Sequence, residues 1–241
     1  MTATLSIDIG GSGLKASVLD DAGQFLVPPG RMETPHPLDP EKLMDALRDL
    51  VRPLPRWDRI SAGFPGVVRK GVIRTAANLG TEAFQGFDLA AALSDAFGAP
   101  ARVANDAEVQ GLAAVSGTGV EMVITLGTGF GSALFSDGHP CAHLELGHHE
   151  FRKGRTYEEA LGETALEQAG KRKWRARVDR AIEQLRILTD FDHLYIGGGN
   201  ARHLKPSALP PDVSTVDNTD GILGGFRLWQ PHTPERGARN A

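Results

Sequence analysis

The sequence predicts an α/β chain folded as two lobes, and three observations carry that reading. Two apolar hairpins with glycine-rich tips, at 5–19 and 121–135, stand about half a chain apart. Short β-branched and apolar runs alternate with stretches of helical periodicity. The boundary near residues 104–120 has no low-complexity linker, so the lobes should meet closely and hinge.

Residues 4–9 alternate into a strand that ends at Asp8 and Gly10. Its partner, 14–19, runs to the turn at 20–23, and 25–27 is expected as a third strand. The proline-rich stretch 28–40 reads as an irregular connection. Asp39-Pro40 opens a helix with a cap and a proline in its first turn. Leu43, Leu47, Leu50 and Val51 share its buried face. A short strand at 60–64, a hairpin at 67–73 and a polar loop at 75–80 follow. Asp88 caps a helix that Gly98 stops. The strand 101–104 delivers Asn105-Asp106 to a helix over 107–115. After the second hairpin, 144–149 sits in a loop or strand end, and 157–170 and 174–189 are helical. Val178, Ile182, Leu185 and Leu188 form the core face of the latter. Strands at 193–196 and 213–216 and a helix at 220–229 complete the pattern, and 230–241 reads as a disordered tail. The lobes are therefore expected as 1–104 and 105–229.

Composition narrows the function. The 241 residues, 41% hydrophobic and 23% charged, suit a soluble globular protein of one large or two small domains. A net charge of −4 argues against a general nucleic-acid binder. The lone cysteine, Cys141, excludes an internal disulfide and a Cys-rich zinc site, and fits a reducing cytoplasm. No apolar run approaches a membrane span, and the N-terminus carries no signal pattern.

Glycine-rich tips let backbone N–H groups face an anion. Gly10, Gly11, Ser12 and Gly13 form the first, and Gly127, Thr128 and Gly129 the second. Overlaying the hairpins puts Gly10 on Gly127, Asp8 on Thr125 and Lys15 on Ser132. The pair suggests two lobes facing a shared phosphate. Asp8 suits Mg²⁺ held through water, and Lys15 adds a positive charge. Asp106, at a strand exit, suits a carboxylate that accepts a hydroxyl proton during phosphoryl transfer; a helix N-cap fits it equally well. Glu145 and His148 suit contacts to a hydroxyl-rich ligand better than a metal, because no thiolates lie nearby. Gly197, Gly198 and Gly199 permit close approach to a flat ligand such as adenine, or simply a tight turn. The basic run 171–177 wraps its helix, as a solvated face does; the alternative is a track for a polyanion.

Together these segments resemble the ROK family of sugar kinases and sugar-responsive repressors, in the actin-like ATPase superfamily. Residues 8–15 and 126–131 look like its two phosphate motifs, Asn105-Asp106 its catalytic pair, Glu145-Leu-Gly-His148 its ExGH motif, and 196–199 its nucleotide-side glycines. The resemblance implies a two-lobed, ribonuclease H-like fold with the active site in the interlobe cleft. Asp106 would be the base towards a hexose 6-hydroxyl. Asn78, Asn105, Glu145 and His148 would hold the sugar. The glycine tips would grip polyphosphate or ATP with Mg²⁺, and the protein would be a cytoplasmic homodimer. Most members follow ExGH with a CxCGxxGC zinc motif. Residues 151–157 here contain no cysteine, which removes zinc and moves the chain towards the zinc-free polyphosphate glucokinases. Their FPGVV…AAN stretch is similar to residues 64–78, and Phe84 stands where many members have a Trp in the sugar-pocket wall. No helix-turn-helix precedes residue 4, which argues against the repressor branch. A non-catalytic sugar sensor that keeps the fold is the alternative.

Overall fold

The computed structural model describes residues 2–76, 79–216 and 220–230, apart from the side chains of 220 and 221. Two five-stranded sheets share one topology. In the first, β1 (Thr4–Ile9) pairs antiparallel with β2 (Gly13–Leu19), which pairs with β3 (Gly30–Glu33). On its other side β1 pairs parallel with β4 (Arg59–Phe64), and β4 with β7 (Ala101–Asn105). The small hairpin β5 (Val68–Arg69) and β6 (Val72–Ile73) lies between these last two in sequence. The second sheet repeats the pattern. β8 (Val120–Leu126) pairs antiparallel with β9 (Phe130–Ser136), which pairs with β10 (His139–Pro140). β8 also pairs parallel with β13 (His193–Gly197), and β13 with β14 (Val213–Thr215).

The outer face of the first sheet is covered by α1 (Pro40–Val51), α2 (Thr81–Phe84) and α3 (Leu89–Phe97). Asp39 caps α1 by accepting from the Lys42 N–H, and Leu43, Leu47, Leu50 and Val51 are buried as expected. Leu5, Ile7 and Ile9 of β1 point to this side, and Thr4 and Ser6 to the other, as strand alternation requires. The second sheet is covered by α5 (Tyr157–Leu161) and α6 (Glu163–Thr189), which bury Leu161, Trp174, Val178, Ile182 and Leu185 against Met122, Ile124 and Ile196.

Between the sheets run α4 (Asp106–Ala114) and α7 (Asp220–Arg227), packed closely against each other. α7 lies on the inner face of the first sheet, where β1 and β4 present small residues. Ser6 Oγ donates to Ile222 O at 2.6 Å and Ser61 Oγ to Gly225 O at 2.6 Å. Trp229 Nε1 donates to Ser61 Oγ, and Arg102 stacks over its ring at 4.3 Å. The last helix among the described residues thus completes the core begun by the first strands.

Four expectations are corrected. The third strand is 30–33, not 25–27: Pro28-Pro29 offers no N–H to a ladder, so residue 25 makes a single bridge to Leu19 and pairing resumes beyond the prolines. The helix expected at 157–170 breaks at Gly162, and a second break at Gly170 (φ 73°) starts a separate helical segment at the basic run. Leu188 is 60% exposed, because at about 100° per residue it falls at the margin of the face that Val178, Ile182 and Leu185 bury, while Thr189 meets Met122 of β8. The tip loops are unequal: residues 10–13 separate Ile9 from Leu14, but only 127–129 separate Leu126 from Phe130. The overlay therefore slips by one on the return strand, and Lys15 corresponds to Gly131 rather than Ser132. The expected tail lies outside the described residues beyond Gln230.

A Cβ on Gly224 would run into the Val109 carbonyl, and one on Gly225 into Ser6 Oγ. Gly224→Ala should therefore cost about 1–3 kcal/mol in urea unfolding, as overpacking does. Ala at Gly11, which has nothing within 4 Å of its would-be Cβ, should cost far less.

Candidate active site

The strand ends of both sheets converge on a cleft of about 520 Å³. It is bordered by the first tip (Gly10, Gly11, Ser12), the second tip (Gly127, Thr128, Gly129), the ends of β4 and β7, and the turn after β13. Ligands of α/β folds gather at such carboxyl ends. The first tip is latched from β3's exit: Thr34 Oγ1 donates to Gly10 O at 2.7 Å, and His36 Nε2 meets Gly11 O at 3.0 Å. The second is held by Asn200 Nδ2, which donates to Gly127 O at 3.2 Å.

Asp8 borders the cleft, and its direct cross-strand partner Lys15 reaches it, Nζ to Oδ2 at 2.9 Å. Lys15 and Gly13 are not among the lining residues. Gly198 and Gly199 line the cleft, whereas Gly197 does not. Gly198 has φ 84° and lies against the Leu126 backbone, so the turn itself demands glycine there. Gly224 and Gly225 of α7 are committed to packing on α4 and the first sheet. Asn78 lies outside the described residues. Phe84 is fully buried against Phe64, with ring centroids 5.6 Å apart, and is not among the cleft residues.

The pair Asn105-Asp106 divides its labour. Asn105 is the helix cap: its Oδ1 accepts from the Ala107 and Glu108 N–H groups, Glu108 returns a bond to the Asn105 N–H, and Asn105 Nδ2 donates to Gly66 O at 3.0 Å. That leaves Asp106, the first helical residue, on the cleft without cap duty. Burial pushes the Asp106 carboxyl up to about 7; the charges of Asp8 and Glu145 push the same way, against the Ala107 N–H.

Glu145 and His148 border the cleft at the ends of the 3-10 turn Leu146–His148. Sequence reasoning missed what holds Glu145. His143 bridges two carboxylates, Nδ1 to Glu108 Oε1 and Nε2 to Glu145 Oε2, both at 3.1 Å. Those bonds raise His143 to about 9, so it is a cation at neutral pH, and they hold Glu145 below its ordinary value. The alternation His143-x-Glu145 was the available sign of a shared face. Glu158, in the first turn of α5, also lines the cleft, and its Oε2 accepts from the Phe130 N–H at 3.4 Å. Its place in an amphipathic helix gave no hint of this.

The fold and cleft define a two-lobed actin-like kinase. Residues 4–169 match the ROK family, and the chain belongs to it. It is 30% identical over 238 residues to a polyphosphate glucokinase of Mycobacterium tuberculosis, covering 90% of this chain and 88% of the relative. The inorganic polyphosphate/ATP-glucomannokinase of Arthrobacter sp. strain KM superposes with a TM-score of 0.85 at 29% identity, over 95% of this chain and 98% of that one. A ROK family glucokinase from Streptomyces griseus, solved with glucose and AMPPNP, shares the fold at a TM-score of 0.77 and 18% identity, over 94% and 98% of the two chains.

Two outcomes test the geometry. A carboxyl raised from 3.8 to about 7 is more protonated folded than unfolded, so it costs stability as pH climbs through that window. Asp106→Asn should raise Tm at pH 8 and leave it nearly unchanged at pH 4; an equal shift at both would refute the burial effect. His143→Ala frees Glu145, and should raise the KM for sugar about tenfold, the loss of one charge-assisted bond, with the donor KM unmoved.

Proposed function

We propose that the protein transfers a phosphoryl group from polyphosphate, ATP or both to the 6-hydroxyl of glucose or a similar hexose, as a cytoplasmic homodimer. The observation that carries the reaction is Asp106, which leaves the capping of its helix to Asn105 and borders the cleft between two glycine tips with its carboxyl near neutrality. A base is most effective when its pKa lies near the working pH. In this reading Asp106 accepts the hydroxyl proton as the phosphoryl group arrives, while Glu145, His148 and Glu158 take sugar hydroxyls. Asn78 joins them. Asn105 contributes chiefly by capping α4. The tips receive the donor's phosphates, and closing the lobes keeps out water, the competing acceptor. Gly198 and Gly199 serve the nucleotide when ATP is the donor, and Lys15 acts by fixing Asp8.

Mg²⁺ fits these residues. Among the described residues no three His, Cys, Asp or Glu gather into a cage, and Asp8 presents one carboxylate to a cleft shaped for phosphates. That suits a hard cation that keeps its waters and takes the rest of its shell from the donor. When bound, it offsets the charge that develops on the transferred group.

For polyphosphate, a basic track next to the cleft supports the reading. The 3-10 helix Gly199–His203 leaves the cleft at Gly199, and Lys171, Arg202 and Arg175 lie close enough to His203 to help lower its pKa, after desolvation. Of the run itself, Lys171, Arg172 and Lys173 are exposed, while Arg175 and Arg177 bond the carbonyls of His203 and Ala160.

Asp106→Asn should lower kcat by about 10²–10⁴, the loss of a general base, and the parent's kcat/KM should rise with pH to a plateau above about 7. Turnover within a few-fold of the parent would sink the assignment. The triple variant Lys171→Gln, Arg172→Gln, Lys173→Gln should raise the KM for polyphosphate and spare that for ATP. Polyphosphate use should also fall more steeply with salt, since more cations are engaged. Phosphate transfer from ATP alone would refute the polyphosphate assignment.

A further inference from the structure

Gln110 stands one turn beyond Asp106 on α4, about 6 Å along the helix axis, on the same side of the helix. It is 8% exposed and borders the cleft, yet its Nε2 has no hydrogen-bond partner among the described residues. A buried amide left unpaired is costly, so such a group needs an explanation. Packing does not supply one. The amide sits where a side chain on Gly197 would stand, since a Cβ there would be 2.5 Å from Nε2; the fold gives up a side chain on β13 to make room for this amide beside the cleft.

We infer that Gln110 is a donor-binding residue: its amide supplies a hydrogen bond to a phosphate oxygen of the phosphoryl donor. Its position selects the donor over the sugar. It lies against the end of β13, beside the turn that carries Gly198 and Gly199. Glu145 and His148 follow β10, an edge strand three places from β13 in the same sheet. A ligand oxygen is the acceptor that the resting cleft lacks, and a phosphate chain running between the two tips carries oxygens on every unit. The inference rests on the kinase reading, and the test separates the two.

Gln110→Leu and Gln110→Met replace the amide with apolar groups of similar size. Binding of tripolyphosphate and of MgATP is read by calorimetry and thermal shift without sugar, and KM values for donor and glucose are read in turnover. The expected result is about a tenfold loss of affinity for each donor, an unchanged KM for glucose, and a Tm of the free protein equal to or above the parent's, because the unpaired amide is gone. Unchanged donor affinity overturns the inference, as does an equal loss for glucose or a lower Tm in both variants, which marks the amide as structural. If the parent transfers phosphate to no hexose, the kinase reading fails, while the binding measurements still decide the role of Gln110.

Discussion

The site depends on how closely the first turn of α4 approaches both sheets. Gly63 of β4 and Gly131 of β9 face that turn, and a side chain on Gly131 would crowd it. A Cβ on Gly63 would stand 3.4 Å from the Asp106 Cα, and one on Gly131 would stand 3.2 Å from the Ala107 Cβ. Farther along, Gly111 passes the Phe135 ring, where a Cβ would be 2.5 Å away. One helix wedged between two sheets by small residues is the feature from which the rest follows. It carries Asp106 to the meeting point of both glycine tips, and it gives Asn105, Glu108 and Gln110 their separate tasks. α7 locks the wedge from behind through Ser6 and Ser61.

Charge at the cleft is arranged to keep one carboxyl near neutrality. Asp8 is answered by Lys15, and Glu145 and Glu108 share the His143 cation. Asp106 has no cation of its own among the described ion pairs, and it feels the fields of Asp8 and Glu145. Burial and two like charges raise the proton affinity of a group that would otherwise be a weak base, as the role proposed for Asp106 requires.

The segment where most ROK members place a zinc motif is held by other means. β11 (Glu150–Arg152) and β12 (Arg155–Thr156) form a hairpin turned at Lys153-Gly154, both with positive φ. Thr156 and Glu159 close a capping box on α5. The Tyr157 ring packs on Phe151 and Phe130, with centroids 5.0 and 5.1 Å apart. Aromatic packing and a cap thereby tie the residues after His148 to β9, directly beside the cleft.

The sequence alone determined the family-level features: the two glycine tips, the strand exit at Asp106, the ExGH segment and most helix caps. Each is a local pattern whose physics acts over a few residues, so it is legible without neighbours. The cap at Asp39 and the turn chemistry of the hairpins are of this kind. What only the tertiary structure decided were relations across the chain. That Asn105 and not Asp106 caps α4 turned on backbone angles and on Gly66, 39 residues away. The clamp on Glu145 needed Glu108, 35 residues from His143. The glycines of α7 serve packing, because Ser6 from the start of the chain and Val109 from its middle come up against them. Hydrophobic periodicity tells a residue which face it occupies, but not which distant backbone will close on it, and that closure assigns the polar side chains their work.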